Sequence, residues 1–361
     1  MKKKICFFLP NLGNGGAEKV IANIANLLAV RSYEIDIVTV NSQNVQIDNI
    51  NEKINIINLN KKKTILSLCS FFLYLTKNNP DIVFSTFNNT SFISAVAKLI
   101  YPNKFNLIIR IPVDPLFNLG LLDICYKFIN FYSYYVAKKI IVPSSEMYNK
   151  IINDRHYMYN KYHYIQNPLN IDYIEKRAHE SEYDFTIKKY ILCIGRLEKQ
   201  KDFNTLINAF KKVREKHDIE LVILGEGSAR QEIEKKIFTL GLNKYIFMPG
   251  FVKNPYYYIN KCEVFVLSSY AEGSPNSLQQ AISLGKKIVA TDCDYGPKEL
   301  LENGKLGTLV SVGDIQSMSD AISNMILSDN ISKITDSYKK KYSDQFIIEK
   351  YLNLFDEIYE K

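Results

Sequence analysis

Short strand-like apolar runs separated by longer segments of helical spacing fill this sequence, and that alternation restricts the fold more than any other feature. In the first half the runs are 4–9, 35–40, 54–58, 82–85, 107–111 and 139–143. The stretches 17–30, 67–77, 92–100 and 116–137 between them repeat apolar residues at helical intervals. A second series of runs follows at 190–195, 219–224, 245–248, 264–268 and 287–291. Such alternation predicts an α/β architecture with parallel sheets. Two series in 361 residues predict two doubly wound domains. Their bounds read as 1–167, a linker at 168–188, a second domain at 189–341 and a helical tail at 342–361. The linker reading rests on Asn167-Pro168 and on the polar run that includes Glu175, Lys176, Arg177, Glu180 and Glu182.

Composition narrows the class. An apolar fraction of 47% is that of globular chains rather than disordered ones. The six cysteines are scattered without a C-x-x-C pair, which argues against zinc or a disulfide framework and for a reducing, cytoplasmic compartment. The apolar run after Lys2-Lys3-Lys4 is too short for a secretory signal and reads as a buried strand. The longest apolar stretches, 65–75 and 128–137, fall short of the roughly 18–20 residues of a bilayer span. The net charge of +8, with lysine runs at Lys2–Lys4 and Lys61–Lys63, leaves two readings open. One is a solvated basic surface; the other is contact with an anionic membrane or a lipid-linked phosphate. Nucleic acid is disfavoured because no reading motif accompanies the charge.

In open α/β sheets ligands bind beyond the carboxyl ends of strands, against helix N-termini that attract phosphate. Gly13-Asn14-Gly15-Gly16-Ala17-Glu18 follows the first strand, but Glu18 stands where a dinucleotide fingerprint needs its third glycine. Nicotinamide binding is therefore disfavoured, and Glu18 also suits a plain helix start. Gly225-Glu226-Gly227 is read the same way, as a tight turn. Gly195-Arg196-Leu197, with Lys201 close behind, places a guanidinium and an ammonium beyond a strand, a clamp for a diphosphate leaving group or else a surface charge pair. After the run 264–268 comes Ser269-Tyr270-Ala271-Glu272-Gly273-Ser274-Pro275-Asn276-Ser277-Leu278-Gln279-Gln280. Pro275 suits a first helical turn, whose N–H groups would face a ligand, and Glu272 would accept hydrogen bonds from sugar hydroxyls or, read alone, cap the helix. Asp292-Cys293-Asp294 has the form of a manganese-holding pair, but its late position favours a capping loop. The four histidines lack metal-ligand spacing, and no nucleophile-elbow or Walker motif is present.

Taken in order, Gly15-Gly16-Ala17-Glu18, Gly195-Arg196-Leu197 with Lys201, Glu272-Gly273 and Thr291-Asp292 through Gly296-Pro297-Lys298-Glu299 resemble glycosyltransferase family 4. That is the retaining group with the GT-B fold, and the likeness is greatest to bacterial enzymes extending O-antigen, capsule or lipid-linked oligosaccharides. The resemblance covers essentially the whole chain. It implies two Rossmann-like domains facing each other across a cleft, an acceptor domain first and a donor domain second, with the C-terminal helix packed back on the first. It implies that Arg196 and Lys201 bind the diphosphate and that Glu272 contacts the donor sugar. Gly273, Ser274, Asn276 and Ser277 would surround the donor, and Gly15 and Gly16 would line the cleft from the other side.

The implied reaction proceeds on one sugar face without a protein nucleophile, metal or cofactor. Its substrates would be a nucleotide-diphosphate sugar (UDP-hexose or UDP-N-acetylhexosamine) and a lipid-linked glycan, at the inner face of the plasma membrane. Two positions depart from the family pattern. The second glutamate is Gln280, an amide that hydrogen-bonds a ribose without charge assistance. The acceptor-domain histidine is absent from Ile109-Arg110-Ile111-Pro112-Val113-Asp114, leaving Arg110 and Asp114 as acceptor candidates. Aromatic-rich 117–135 reads either as a buried helix or as a membrane-resting segment. Two other functions compete: a non-catalytic nucleotide-sugar-binding partner in a glycan assembly complex, suggested by Gln280, and a sugar-nucleotide epimerase.

Overall fold

A computed structural model describes residues 2–13, 15–42, 50–113, 124–154, 156–180, 187–329 and 334–359. The chain divides into two compact units, Met1–Pro168 with Asp344–Lys361, and Leu169–Ser343.

The first unit is built on a parallel sheet of strands β1 (Lys3–Leu9), β2 (Tyr33–Thr39), β3 (Ile54–Asn58), β4 (Ile82–Ser85), β5 (Asn106–Arg110), β6 (Lys139–Val142) and β7 (Tyr162–Tyr164). Their order across the sheet is β3-β2-β1-β4-β5-β6-β7. Every residue of β1 from Ile5 to Leu9 is buried, as a central strand covered on both faces requires. Helices α1 (Gly16–Ala29), α2 (Leu68–Asn78), α3 (Asn88–Ile100), α4 (Ile124–Val136) and α5 (Ser145–Asp154) connect the strands. On α1 the residues Val20, Ile21, Ile24, Ala25 and Leu28 form the buried stripe that holds it to the sheet.

The second unit repeats the plan with β8 (Tyr190–Ile194), β9 (Glu220–Leu224), β10 (Ile246–Gly250), β11 (Val264–Leu267), β12 (Lys287–Thr291) and β13 (Thr308–Val310), in the order β10-β9-β8-β11-β12-β13. Its helices are α6 (Ile171–Ala178), α7 (Phe203–Arg214), α8 (Arg230–Thr239), α9 (Pro255–Lys261), α10 (Asn276–Ser283), α11 (Pro297–Leu300), α12 (Ile315–Leu327) and α13 (Asp336–Tyr342). A final helix, α14 (Asp344–Tyr359), belongs to the first unit. There Ile347, Ile348, Tyr351, Leu354, Phe355 and Ile358 join the core formed by β1 and α1. Each such side chain contributes about 1.5–3 kcal/mol of apolar burial.

Both units are thus doubly wound α/β layers. In each sheet the first strand of the unit lies beside a strand from the other winding direction, β1 beside β4 and β8 beside β11. At such a reversal the loops leaving the two strands part in opposite directions and open a crevice at their carboxyl ends.

The stretch expected as a linker at 168–188 instead carries α6 inside the second unit, where Ile174 and Ala178 are buried and Asn170 caps the helix by accepting from the Tyr173 N–H. A helix of eight residues with only two buried side chains leaves too faint a period to read in sequence. The edge strands β7 and β13, three residues each, escaped for the same reason.

Candidate active site

The residues singled out in the second half gather at its sheet reversal. Strands β8 and β11 pair directly, Val264 with Ile191 and Phe265 with Leu192. Beyond them the chain leaves β8 through Gly195-Arg196-Leu197 into a 3-10 turn at Lys199–Lys201, and leaves β11 through Ser268–Pro275 into α10. Lys201 Nζ lies 2.5 Å from Glu272 Oε1, and both side chains are largely buried. Separated by 71 positions in sequence, they meet because the strands before them are neighbours.

Several contacts fix the pair. Ser269, fully buried, donates its hydroxyl to Glu272 Oε1 at 2.6 Å. Thr291 Oγ1 donates to the Ser269 carbonyl at 2.7 Å, and Gln200 Nε2 donates to the Ala271 carbonyl at 2.6 Å. The Ser268 hydroxyl donates to the Lys201 carbonyl at 2.8 Å. Asp202, in left-handed conformation, caps α7 by accepting from the Thr205 N–H, which ends the turn carrying Lys201. The stem of Lys201 runs past Gly195, where an added Cβ would stand 3.3 Å from its Cδ and Cε.

Two further glycines bring neighbouring loops together. Gly225 has φ +134, and a Cβ there would lie 2.0 Å from the Gly195 carbonyl oxygen. A Cβ on Gly227 would strike Leu197 O at 2.4 Å. These glycines do more than turn the chain after β9: they let its backbone press against the loop holding Arg196 and Lys201. Gly296, at φ +95, likewise packs against Gly273 and Pro275.

Arg196 is exposed and makes no ion pair among the described residues. Gly273 is buried, while Ser274, Asn276, Ser277 and Gln280 are half-buried. The helix begins at Asn276, one residue later than expected; Pro275 occupies its N-cap and no side chain caps it. The Ser277 hydroxyl donates to the Ile194 carbonyl at 3.2 Å, tying α10 to the end of β8. Gln280 lies on the second turn of the same helix. Two buried cysteines flank the ion pair. Burial pushes the Cys193 thiol up to about 12, with Lys201 opposing and Glu272 adding; burial and then Glu272 push Cys293 to the same value. Asp292 and Asp294 are exposed on either side of Cys293, and the described residues hold no group of three metal-ligating side chains.

In the first unit Gly15 is the N-cap of α1 and Gly16 its first residue. The Glu18 carboxylate folds back over Gly15, within 2.1 Å of where a Cβ would stand. Arg110 ends β5 and is buried; its guanidinium donates to Asn167 Oδ1, and burial lowers its pKa. The Tyr351 hydroxyl, buried against the guanidinium, opposes that lowering. Asp114 lies outside the described residues.

Of the supporting side chains, Ser269, Gln200 and Thr291 were given no role from sequence. Ser269 had a visible signal, since it directly follows a buried strand; Gln200 and Thr291 act through backbone carbonyls and had none.

Residues 175–342 match the family model described as Glycosyl transferases group 1. Over 94% of this chain and 93% of the relative, the sequence is 28% identical to N-acetylgalactosamine-N,N'-diacetylbacillosaminyl-diphospho-undecaprenol 4-alpha-N-acetylgalactosaminyltransferase of Campylobacter jejuni. Among solved structures, Anabaena HepE in complex with UDP and glucose superposes with TM-score 0.82 at 17% identity, covering 98% of this chain and 100% of that one. An S. aureus TarM mutant in complex with Fondaparinux, alpha-GlcNAc-glycerol and UDP gives 0.78 at 17% identity, covering 98% and 99%. The two doubly wound units and these likenesses agree: the chain has the GT-B fold and carries a glycosyl transferases group 1 domain over residues 175–342, and it is similar to transferases that build bacterial lipid-linked glycans.

Proposed function

We propose that this glycosyltransferase is retaining and metal-independent, and moves a hexose or N-acetylhexosamine from a UDP-sugar to a lipid-linked glycan at the inner membrane face. The observation that carries this reading is the Lys201–Glu272 pair at the β8–β11 reversal, beside the uncapped start of α10. Lys201 and Arg196 supply positive charge for a diphosphate, and the first turn of α10 supplies N–H groups and a favourable dipole. Glu272, held by Ser269, accepts hydrogen bonds from sugar hydroxyls.

In the transfer, the bond from the sugar anomeric carbon to the β-phosphate oxygen breaks. The acceptor hydroxyl oxygen bonds to that carbon on the same face, and its proton passes to the departing phosphate. The charge that develops on the phosphate is met by Lys201 and Arg196, which are in place before reaction. Gln280 serves the ribose through its amide, and Gly15 and Gly16 are assigned to the donor from the first unit. Arg110, held by Asn167 beside Tyr351, is assigned with Asp114 to the acceptor. Support for the lipid-linked acceptor comes from the Campylobacter relative, whose name specifies a diphospho-undecaprenol substrate, and support for UDP from the ligand of the Anabaena structure.

The test is a turnover assay with a panel of nucleotide sugars and extracted lipid acceptors, in buffer with and without EDTA. Acceptor-dependent release of nucleotide and an anomeric configuration kept in the product are expected. Binding without release in any combination would sink the catalytic reading, and inversion would sink the retaining one.

A further inference from the structure

Arg196 is exposed on a loop, so its use depends on what holds that loop. Arg196, Leu197 and Glu198 form a tight turn, closed by the Glu198 N–H donating to the Arg196 carbonyl at 2.8 Å. The loop after β9 clasps this turn from the side. The Gly195 N–H donates to the Leu224 carbonyl at 3.0 Å, and the Leu197 N–H to the Glu226 carbonyl at 2.9 Å. The Leu197 carbonyl in turn accepts from the Ala229 N–H at 2.8 Å. The backbone on both sides of Arg196 is therefore tied to one neighbouring loop. That loop has its own anchor: Arg230, the first residue of α8, donates to the Met248 carbonyl on β10 at 2.9 Å and to Glu226 Oε1 at 2.7 Å.

Glu198 adds a side-chain clasp. Its Oε1 accepts from the Ser228 N–H at 3.2 Å and its Oε2 from the Ser228 hydroxyl at 2.9 Å. Both carboxylate oxygens are thus engaged by one residue of the facing loop. The consequence is electrostatic as well as mechanical. Glu198 lies two positions from Arg196, and across a turn this tight their side chains are long enough to meet. A freely turning carboxylate there would pair with the guanidinium and offset the charge needed for a diphosphate. Ser228 holds Glu198 away, as Arg230 holds Glu226. The two carboxylates of these loops are committed, and Arg196 makes no ion pair among the described residues.

We infer that Glu198 is a positioning residue for the diphosphate contact: pinned by Ser228, it fixes the turn that carries Arg196 and keeps its own charge off the guanidinium. This rests on the reading that Arg196 meets the donor diphosphate, and it names what keeps Arg196 ready to do so.

Affinities for UDP and for uridine are measured by titration of the full chain. Glu198→Ala should weaken UDP roughly three- to tenfold and leave uridine unchanged, because Arg196 serves only the diphosphate. Glu198→Gln keeps an accepting oxygen for Ser228 and should stay within roughly twofold of wild type. Added to Arg196→Ala, Glu198→Ala should cost nothing further, since it acts through the guanidinium. If Glu198→Ala does not fold, Ser228→Ala, which removes the shorter of the two bonds, carries the same comparison. Wild-type UDP affinity in Glu198→Ala, an equal loss for uridine, or a full loss on top of Arg196→Ala would each overturn the inference. Wild-type UDP affinity in Arg196→Ala would overturn the diphosphate reading itself and the inference with it, so the two failures are distinguishable.

Discussion

Lys201→Met removes the ammonium from beside Glu272 while keeping the length of the side chain. Glu272 is then left as a carboxylate with a side chain only 6% exposed. Deleting one member of a fully buried ion pair costs about 3–5 kcal/mol because the remaining charge is uncompensated. The Ser269 hydroxyl still donates to Oε1, so the lower figure of about 2–3 kcal/mol applies. Glu272→Gln leaves Lys201, which has 16% exposure and a flexible stem, and costs less, about 1–2 kcal/mol. Combining the two substitutions removes the stranded charge, so the double variant should be more stable than Lys201→Met alone, with a coupling of about 1–3 kcal/mol. In thermal unfolding at pH 7 Lys201→Met should melt roughly 4–12 °C below wild type, taking about 2–4 °C per kcal/mol. Turnover should fall more than tenfold in all three variants, which is about 1.4 kcal/mol of barrier or more. The double variant would then be partly restored in stability and still inactive, which separates structure from chemistry. A Lys201→Met protein melting within roughly 1 °C of wild type, or strictly additive costs, would refute the buried-pair argument. Full turnover in either single variant would refute the catalytic assignment.

Gly225→Ala should lower the melting temperature and abolish transfer, because its φ of +134 is strained for alanine and its Cβ would displace the Gly195 carbonyl; circular dichroism and turnover check both. Cys193 and Cys293 are thiols held near 12 in the fold against an ordinary 9.0, so above about pH 9 the unfolded chain releases protons that the native one keeps. Stability should fall as pH rises from there towards 12, and the fall should shrink in Cys193→Ala with Cys293→Ala, measured by denaturant titration. Exposed Cys69 should react with iodoacetamide well before these two do, by mass spectrometry of the native protein. Gln280→Glu should tighten UDP-sugar binding in calorimetry through a charge-assisted ribose contact, and unchanged affinity would remove Gln280 from the nucleotide site. Transfer should survive EDTA; its loss, restored by manganese, would return Asp292 and Asp294 to consideration.

The architecture was legible because buried strands are written as apolar runs: Ile82–Ser85 and Lys287–Thr291 have the bounds that the runs have, and so does the edge strand Ile54–Asn58, although Asn55, Ile56 and Asn58 are exposed. What could not be read is which strands are neighbours, and the site depends on it. Lys201 and Glu272 each stood out by position after a strand, yet their contact exists only because β8 lies beside β11 and not beside β12. Gly225 and Gly227 were legible as a turn and illegible as spacers, since the backbone they approach follows a different strand. The α6 helix was hidden for the opposite reason. Its apolar face is so narrow that only the second unit, and Asn254 donating to the Arg177 and Glu180 carbonyls at its end, gives it a reason to form.

Each unit offers a glycine-flanked helix start at the carboxyl edge of its sheet, and electrostatics distinguishes the two. At α1 the first turn contains Glu18, whose carboxylate lies over Gly15. It complements the helix dipole by roughly 0.3–1 kcal/mol and would oppose a phosphate by a similar amount. At α10 the first turn holds no acidic residue and the N-cap is Pro275, so the dipole there is not met by a side-chain charge. The loop from β8 adds Arg196 and Lys201 to the same edge, and the Glu272 carboxylate is committed to Lys201 and Ser269. A diphosphate therefore gains at α10 what it would lose at α1. On this ground the second unit should hold the phosphates, while the first unit's glycines are suited to neutral parts of the substrates.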